Sequence, residues 1–281
     1  RPVPPSNFRL RSIFNRVPTG KNQTSHPEYY HKLEPLRFEK GVQQISDNLF
    51  PVADLKVATR DEYAKLYEEF KKEWQELLKD PESTSSIPNF LPRLLTLLER
   101  YTWCVPAYPG TQADISLYDH SLVTAACTQA LYLYHSEVKV WPMEYPETAP
   151  QLPKFLLISG DLSGMNRYLF HFATTNLTDV ATILRARSFY IQQITDITSL
   201  HLLEALHLLP VARIMNAGGR FLLMAPNTPA IRETFAQVQT TVETWLYENF
   251  FGDLTLSLTT VEATAVDLMR QLPTTLDKLN D

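Results

Sequence analysis

Residues 211–224 read Val-Ala-Arg-Ile-Met-Asn-Ala-Gly-Gly-Arg-Phe-Leu-Leu-Met, two apolar stretches separated by a paired glycine. A glycine pair supplies the positive φ angles that a two-residue reversal needs, so the stretch reads as a β-hairpin turning at Ala217, Gly218 and Gly219. Upstream, Lys154-Phe-Leu-Leu-Ile158 is a short apolar run bounded by Ser159-Gly160, the pattern of a buried strand. A helical stretch from about residue 178 to 209 joins the two. Downstream, Pro226-Asn-Thr-Pro229 opens a helix carrying Phe235, Val238, Val242, Trp245 and Phe250. Gly252-Asp253 ends it, and residues 254–261 alternate as a last strand.

The order strand, helix, hairpin, helix, strand gives an α+β class. It is the ferredoxin-like arrangement used by palm domains of polymerases and nucleotide cyclases. Before it the chain is mainly helical. A capping-box match at Thr59 and Glu62 opens an amphipathic helix with Tyr63, Leu66, Phe70, Trp74 and Leu77 on one stripe. That helix is expected to stop near Asp80-Pro81. Residues 90–101 form a second helix, and residues 117–135 a third. Residues 1–58 read as an irregular, linker-like segment with β-like pieces at 8–14 and 33–38. Residues 59–140 are the helical region. Pro142, Pro146, Pro150 and Pro153 make 141–153 the expected linker, and 154–281 the palm domain.

The 281 residues suffice for two domains, and a 44% hydrophobic content supports real cores. With 26 basic and 31 acidic residues the formal charge is −5, so no global positive field attracts nucleic acid. Any such contact must be local. The only two cysteines, Cys104 and Cys127, fit neither a metal clip nor a secreted disulfide framework, which predicts a reducing, cytoplasmic setting. Apolar runs are far shorter than the roughly 20 residues that cross a bilayer, so a soluble protein without membrane contact is expected. The opening Arg1-Pro2, with no Met, suggests a fragment or processed product.

Palm catalysis uses two metal ions held between carboxylates on the first strand and at the hairpin. Asp161, in Gly160-Asp-Leu-Ser-Gly164, stands where one such carboxylate is expected and is the one possible metal ligand. The hairpin tip, Asn216-Ala-Gly-Gly-Arg-Phe221, carries no acid, and one carboxylate cannot hold two divalent cations. The chain itself therefore has no catalytic residue. Asp161 also suits a helix N-cap or a turn. In the sharper reading, Gly160, Asp161, Ser163 and Gly164, with Gly218 and Gly219, form a nucleotide-binding set in which Ser163 supplies a hydroxyl and the glycines supply room.

Asp119 and His120 pair carboxylate with imidazole, both good divalent ligands, but no second cluster lies near in sequence. A helix cap and a buried, hydrogen-bonded histidine account for them better than a metal site does. Arg167, Arg185, Arg187, Arg213 and Arg220 form a modest basic set. Solvated charge or ion pairing accounts for it; in the functional reading Arg187 and Ser188 shape a nucleotide pocket or a subunit contact.

Four runs occur in fixed order: DISLYDHSLVTAA (114–126), SGDLSGMNRYLF (159–170), LRARSFYIQQI (184–194) and NAGGRFLLMAPNT (216–228). Together they resemble the large subunit of type III CRISPR effector complexes, the type III-A single-strand deoxyribonuclease and cyclic oligoadenylate synthase. The resemblance implies a two-palm enzyme that holds ATP between its palms, with Mg or Mn at a Gly-Gly-Asp-Asp hairpin in a second palm beyond Asp281. It implies an HD nuclease domain before Arg1, with Asp119 and His120 in the HD-derived region. Residues 154–281 would be the first, non-catalytic palm. The implied partners are the other domains of the large subunit, further type III subunits, crRNA and target RNA. The family pattern Gly-Asp-Ile-Ser-Gly-Ile-Gln is met here by Gly160 to Asn166, with Asn166 one methylene shorter than Gln. A scaffold module with no bound nucleotide is the rival reading.

Overall fold

Local signals set the helices, and cross-strand register sets the rest. The computed structural model describes residues 8–17, 27–37, 49–53, 55–108, 113–139, 141, 151–170 and 180–279. It falls into two compact units, Arg1–Leu122 and Val123–Asp281.

In the first unit a two-residue strand β1 (Tyr29–Tyr30) pairs antiparallel with β2 (Val52–Ala53). Helix α1 (Arg60–Lys79) starts where the capping box predicts: Glu62 N–H donates to Thr59 Oγ1 at 3.2 Å and Thr59 N–H to Glu62 Oε2 at 2.8 Å. It ends at Asp80, before the short α2 (Pro81–Thr84). Helix α3 (Ile87–Thr102) begins earlier than the expected residue 90, because Asn89 N–H finds the Ser86 hydroxyl and Pro88, inside the first turn, has no N–H to satisfy. The stripe of α1 packs as read: Leu66 is buried, and Tyr63, Phe70, Trp74 and Leu77 lie against Leu33, Leu97, Tyr101 and Cys104. The β-like piece expected at 33–38 is not a strand over its described residues, 33–37. Leu36 N–H instead donates to Arg100 O at 2.9 Å, and Trp103 Nε1–H to Glu34 O at 2.9 Å, docking irregular chain on the end of α3.

Helix α4 (Leu117–Val138) crosses the division between the units. Its later part belongs with the sheet, since Ala126 and Ala130 are fully buried among Phe155, Leu157, Met224 and Ala263. The contact boundary thus precedes the proline-rich stretch expected to be the linker, because small side chains let this helix approach the sheet closely. Pro142, Pro146 and Pro150 lie outside the described residues.

The second unit contains β3 (Phe155–Ser163), α5 (Met165–Phe170), α6 (Val180–Ala205), β4 (Arg213–Ala217), β5 (Arg220–Pro226), α7 (Pro229–Phe250), β6 (Thr255–Ala263), α8 (Ala265–Arg270) and α9 (Leu272–Asp277). The sheet order is β4-β5-β3-β6, antiparallel throughout, which is the ferredoxin-like topology. Side chains alternate across β3. Leu156, Ile158 and Leu162 face α6 and α7, while Phe155 and Leu157 face α4, α8 and α9. Both faces are therefore covered over the first half of β3, which explains its continuous apolar run.

Candidate functional site

Strand β3 does not end at Ile158 as the sequence suggests. It continues to Ser163 in register with both neighbours, Asp161 opposite Arg220 of β5 and Ser257 of β6, and Ser163 opposite Thr255. Asp161 is therefore a strand residue. It is neither a helix N-cap nor part of a loop, and only Gly164, at φ 88°, leaves the strand. The run after Ile158 looks turn-like because Ser, Gly and Asp are common turn formers, yet two antiparallel partners supply its hydrogen bonds.

Three of the four candidate-site glycines have a packing reason inside the fold. A Cβ on Gly160 would meet the ring of Phe221, and one on Gly164 would strike the carbonyl oxygen of Asp253. A Cβ on Gly219 would lie 2.7 Å from Met165 Sδ. Among the glycines of the candidate site, Gly218 alone, at φ 63° in the hairpin turn, has open space around it. The room vacated at Gly160, Gly164 and Gly219 is thus occupied by the protein itself.

Asp161 and Ser163 lie two apart on one strand and share a face, at the end of the sheet where Leu162 N–H donates to Gly219 O at 2.9 Å. Strand and hairpin are thereby brought together, as the sequence predicts. Arg220 forms an ion pair with Asp161 across the register, the two side chains 54% and 35% exposed. Hydrogen bonding to Asp161 raises the Arg220 pKa. The sequence shows that the hairpin lacks acids and carries Arg220. The structure adds that Arg220 binds the one carboxylate left on the strand.

Other expected site residues sit elsewhere. Asp119 serves α4: its N–H donates to Ser116 Oγ at 3.0 Å, and the Ser116 hydroxyl donates back to its carboxylate at 2.7 Å. His120 is exposed. Arg187 holds α5 against α6, donating to Tyr168 O at 2.5 Å and lying 5.1 Å from the centre of the Tyr168 ring, while Ser188 is exposed. Arg167 pairs with Asp253 at 3.1 Å and Arg213 with Asp196 at 2.5 Å. Among the described residues no three His, Cys, Asp or Glu side chains converge. No helix among them is long and apolar enough to cross a membrane.

Residues 154–281 match the family model for Csm1 subunit domain B. Over 270 residues the chain is 28% identical to the CRISPR system single-strand-specific deoxyribonuclease Cas10/Csm1 (subtype III-A) of Mycobacterium tuberculosis, covering 93% of this chain and 31% of that protein. The Thermococcus onnurineus protein of the same description is 30% identical over 240 residues, 85% of this chain and 29% of its own length. The chain thus spans about a third of the length of the curated relatives it matches. A Csm1–Csm4 cassette solved with pppApApA superposes with a TM-score of 0.74 at 26% identity, over 98% of this chain and 34% of that one. A Csm1–Csm4 cassette with one ATP gives 0.72 at 26% identity, over 98% and 33%.

Proposed function

From the premise that the chain belongs to the Cas10/Csm1 family of type III CRISPR large subunits, we propose that its second unit is a non-catalytic palm forming one wall of an ATP site. A second palm, bearing the acidic hairpin, completes that site, and cyclic oligoadenylate is its product when target RNA is bound. Single-strand DNA cleavage belongs to other parts of the protein. The chain works in the cytoplasm with crRNA, with target RNA and with further type III subunits, a Csm4-type subunit among them.

The observation that carries this reading is the Asp161–Arg220 pair. A divalent cation needs several oxygen ligands, and here the one strand carboxylate already faces a guanidinium. The residues of this palm do not fit a catalytic metal, so Mg or Mn is assigned to the partner palm. They do suit a nucleotide phosphate or ribose. Arg220 has five N–H donors, of which Asp161 engages some, and Ser163 offers an exposed hydroxyl on the same face. Gly218 lets the turn backbone stay accessible beside them.

Titration of ATP into the assembled complex tests the proposal, with Ser163→Ala, Asp161→Ala and Arg220→Ala compared. Each change is expected to weaken ATP and lower oligoadenylate yield. Unaltered affinity and yield for all three would remove this face from the site. The scaffold reading, in which no nucleotide is held, is favoured by one observation: the fold itself fills the space beside Gly160, Gly164 and Gly219. A density map of the complex soaked with ATP separates the two, the scaffold predicting an empty cleft.

A further inference from the structure

The sheet face that packs on α4, α8 and α9 is apolar at one end and polar at the other. At the apolar end lie Phe155 and Leu157 of β3, Leu222 and Met224 of β5, and Val261 and Ala263 of β6. The change comes at Thr259, whose hydroxyl donates to Leu279 O at 2.9 Å, just after α9. Beyond it the next two β6 residues on this face, Ser257 and Thr255, are exposed. Directly paired residues of antiparallel strands share a face, with Cβ atoms about 4.5–5.5 Å apart. Asp161 therefore stands in one row between Arg220 of β5 and Ser257 of β6, and Ser163 pairs with Thr255 in the next row.

The hydrogen-bonding capacity of this row is only partly used. Arg220 Nη2 donates to Asp161 Oδ2, which leaves the lone pairs of Oδ1 available. The hydroxyls of Ser163, Thr255 and Ser257 take part in no hydrogen bond among the described residues. Charge then decides what the row suits. Asp161 and Arg220 cancel, so no net positive field draws a triphosphate here. Strand β3 is hydrogen-bonded on both sides, so its amides do not cradle phosphate as a free helix N-terminus does. A carboxylate oxygen beside a neutral hydroxyl is instead a set that pairs with sugar hydroxyls, as an acidic side chain does with ribose in dinucleotide-binding folds.

We propose that this row reads the ribose of the nucleotide and selects ribonucleotides over deoxyribonucleotides. Asp161 Oδ1 accepts from one ribose hydroxyl, and Ser257 holds the adjacent one. Arg220 fixes the carboxylate in place, and the triphosphate is left to the partner palm. Ser257 is thus a specificity-determining residue that only strand register brings to the site. The inference rests on the reading of this palm as one wall of an ATP site.

The test uses the intact large subunit purified with its protein partners and guide RNA, without target RNA so that ATP is not consumed. ATP and 2′,3′-dideoxy-ATP are titrated separately; they share base and triphosphate and differ only in the sugar hydroxyls. The parent is expected to bind ATP about tenfold more tightly or better, the contribution of one hydrogen bond to a charged group. Ser257→Ala and Asp161→Ala are each expected to bring the ratio of the two affinities towards one by weakening ATP alone. Ser257→Thr keeps a hydroxyl on a residue suited to strands and should retain the preference. A merely structural role would weaken both nucleotides alike. If the parent binds no ATP, the proposed function falls together with this inference. If it binds ATP, the ribose reading alone falls on any of three results: equal binding of the dideoxy analogue by the parent, equal weakening of both nucleotides in the Ala variants, or no change in either.

Discussion

Replacing Gly160 by Ala probes whether this glycine serves the fold or leaves room for a ligand. Gly160 pairs in register with Phe221, and an added Cβ would lie 2.9 Å from Phe221 Cδ1 and nearer still to Cε1 and Cζ. Real Cβ atoms do not approach rings so closely, so something must shift. Phe221 is fully buried among Leu156, Ile158 and Leu223, and its ring has little space to yield. Gly160 is not among the positive-φ glycines, so the cost is steric rather than conformational. Inserting a methyl into a packed core costs about 1–3 kcal/mol. For a unit of this size that lowers the thermal midpoint by about 2–12 °C. Urea unfolding of the chain measures the free energy directly. Phe221→Leu shortens the intruding group, so the double variant should show a favourable coupling of about 0.5–3 kcal/mol. An unchanged stability for Gly160→Ala would refute the reasoning, as would additivity within about 0.5 kcal/mol. The glycine would then be explained by ligand approach.

Arg220→Ala should cost about 1 kcal/mol of stability or less, because the ion pair with Asp161 is half exposed and screened by water. A large loss in urea unfolding would mean that Arg220 holds the hairpin rather than the ligand face. The Glu62 carboxyl is held below its ordinary pKa, chiefly by the hydrogen bond from Thr59 N–H. A depressed carboxyl pKa contributes stability that is full above the unfolded value and lost as pH falls through the folded one. Glu62→Gln keeps an acceptor for the cap and removes the charge, so urea midpoints measured from about pH 7 to pH 3 should fall less steeply on the acid side than in the parent. Burial pushes the Cys104 thiol up to about 12, and its side chain is fully buried. Iodoacetamide at neutral pH should therefore leave it unmodified until denaturant is added, as mass spectrometry would detect. Labelling in the folded protein would place Cys104 near a surface that opens.

What the sequence by itself determined is local. The Gly218-Gly219 pair marks the hairpin, the capping box at Thr59 and Glu62 starts α1, and the apolar spacing of α7 gives its buried face. These signals arise within a few residues, where backbone sterics and periodicity act directly. The order of elements then limits the topology, and the four ordered runs carry the family. Other features were decided only by tertiary structure. Ser159 to Ser163 read as turn-like, but two partner strands make them β. Gly160 needs Phe221, which lies far along the chain, to explain it. Likewise, α4 looks like part of the preceding helical region until Ala126 and Ala130 meet the sheet. The meeting of Asp161 with Arg220 depends on register between β3 and β5, which is set by long-range pairing of strands and by which faces must be buried. No short window of sequence encodes that distance, and so the change from a metal ligand to a paired carboxylate emerges only in the folded chain.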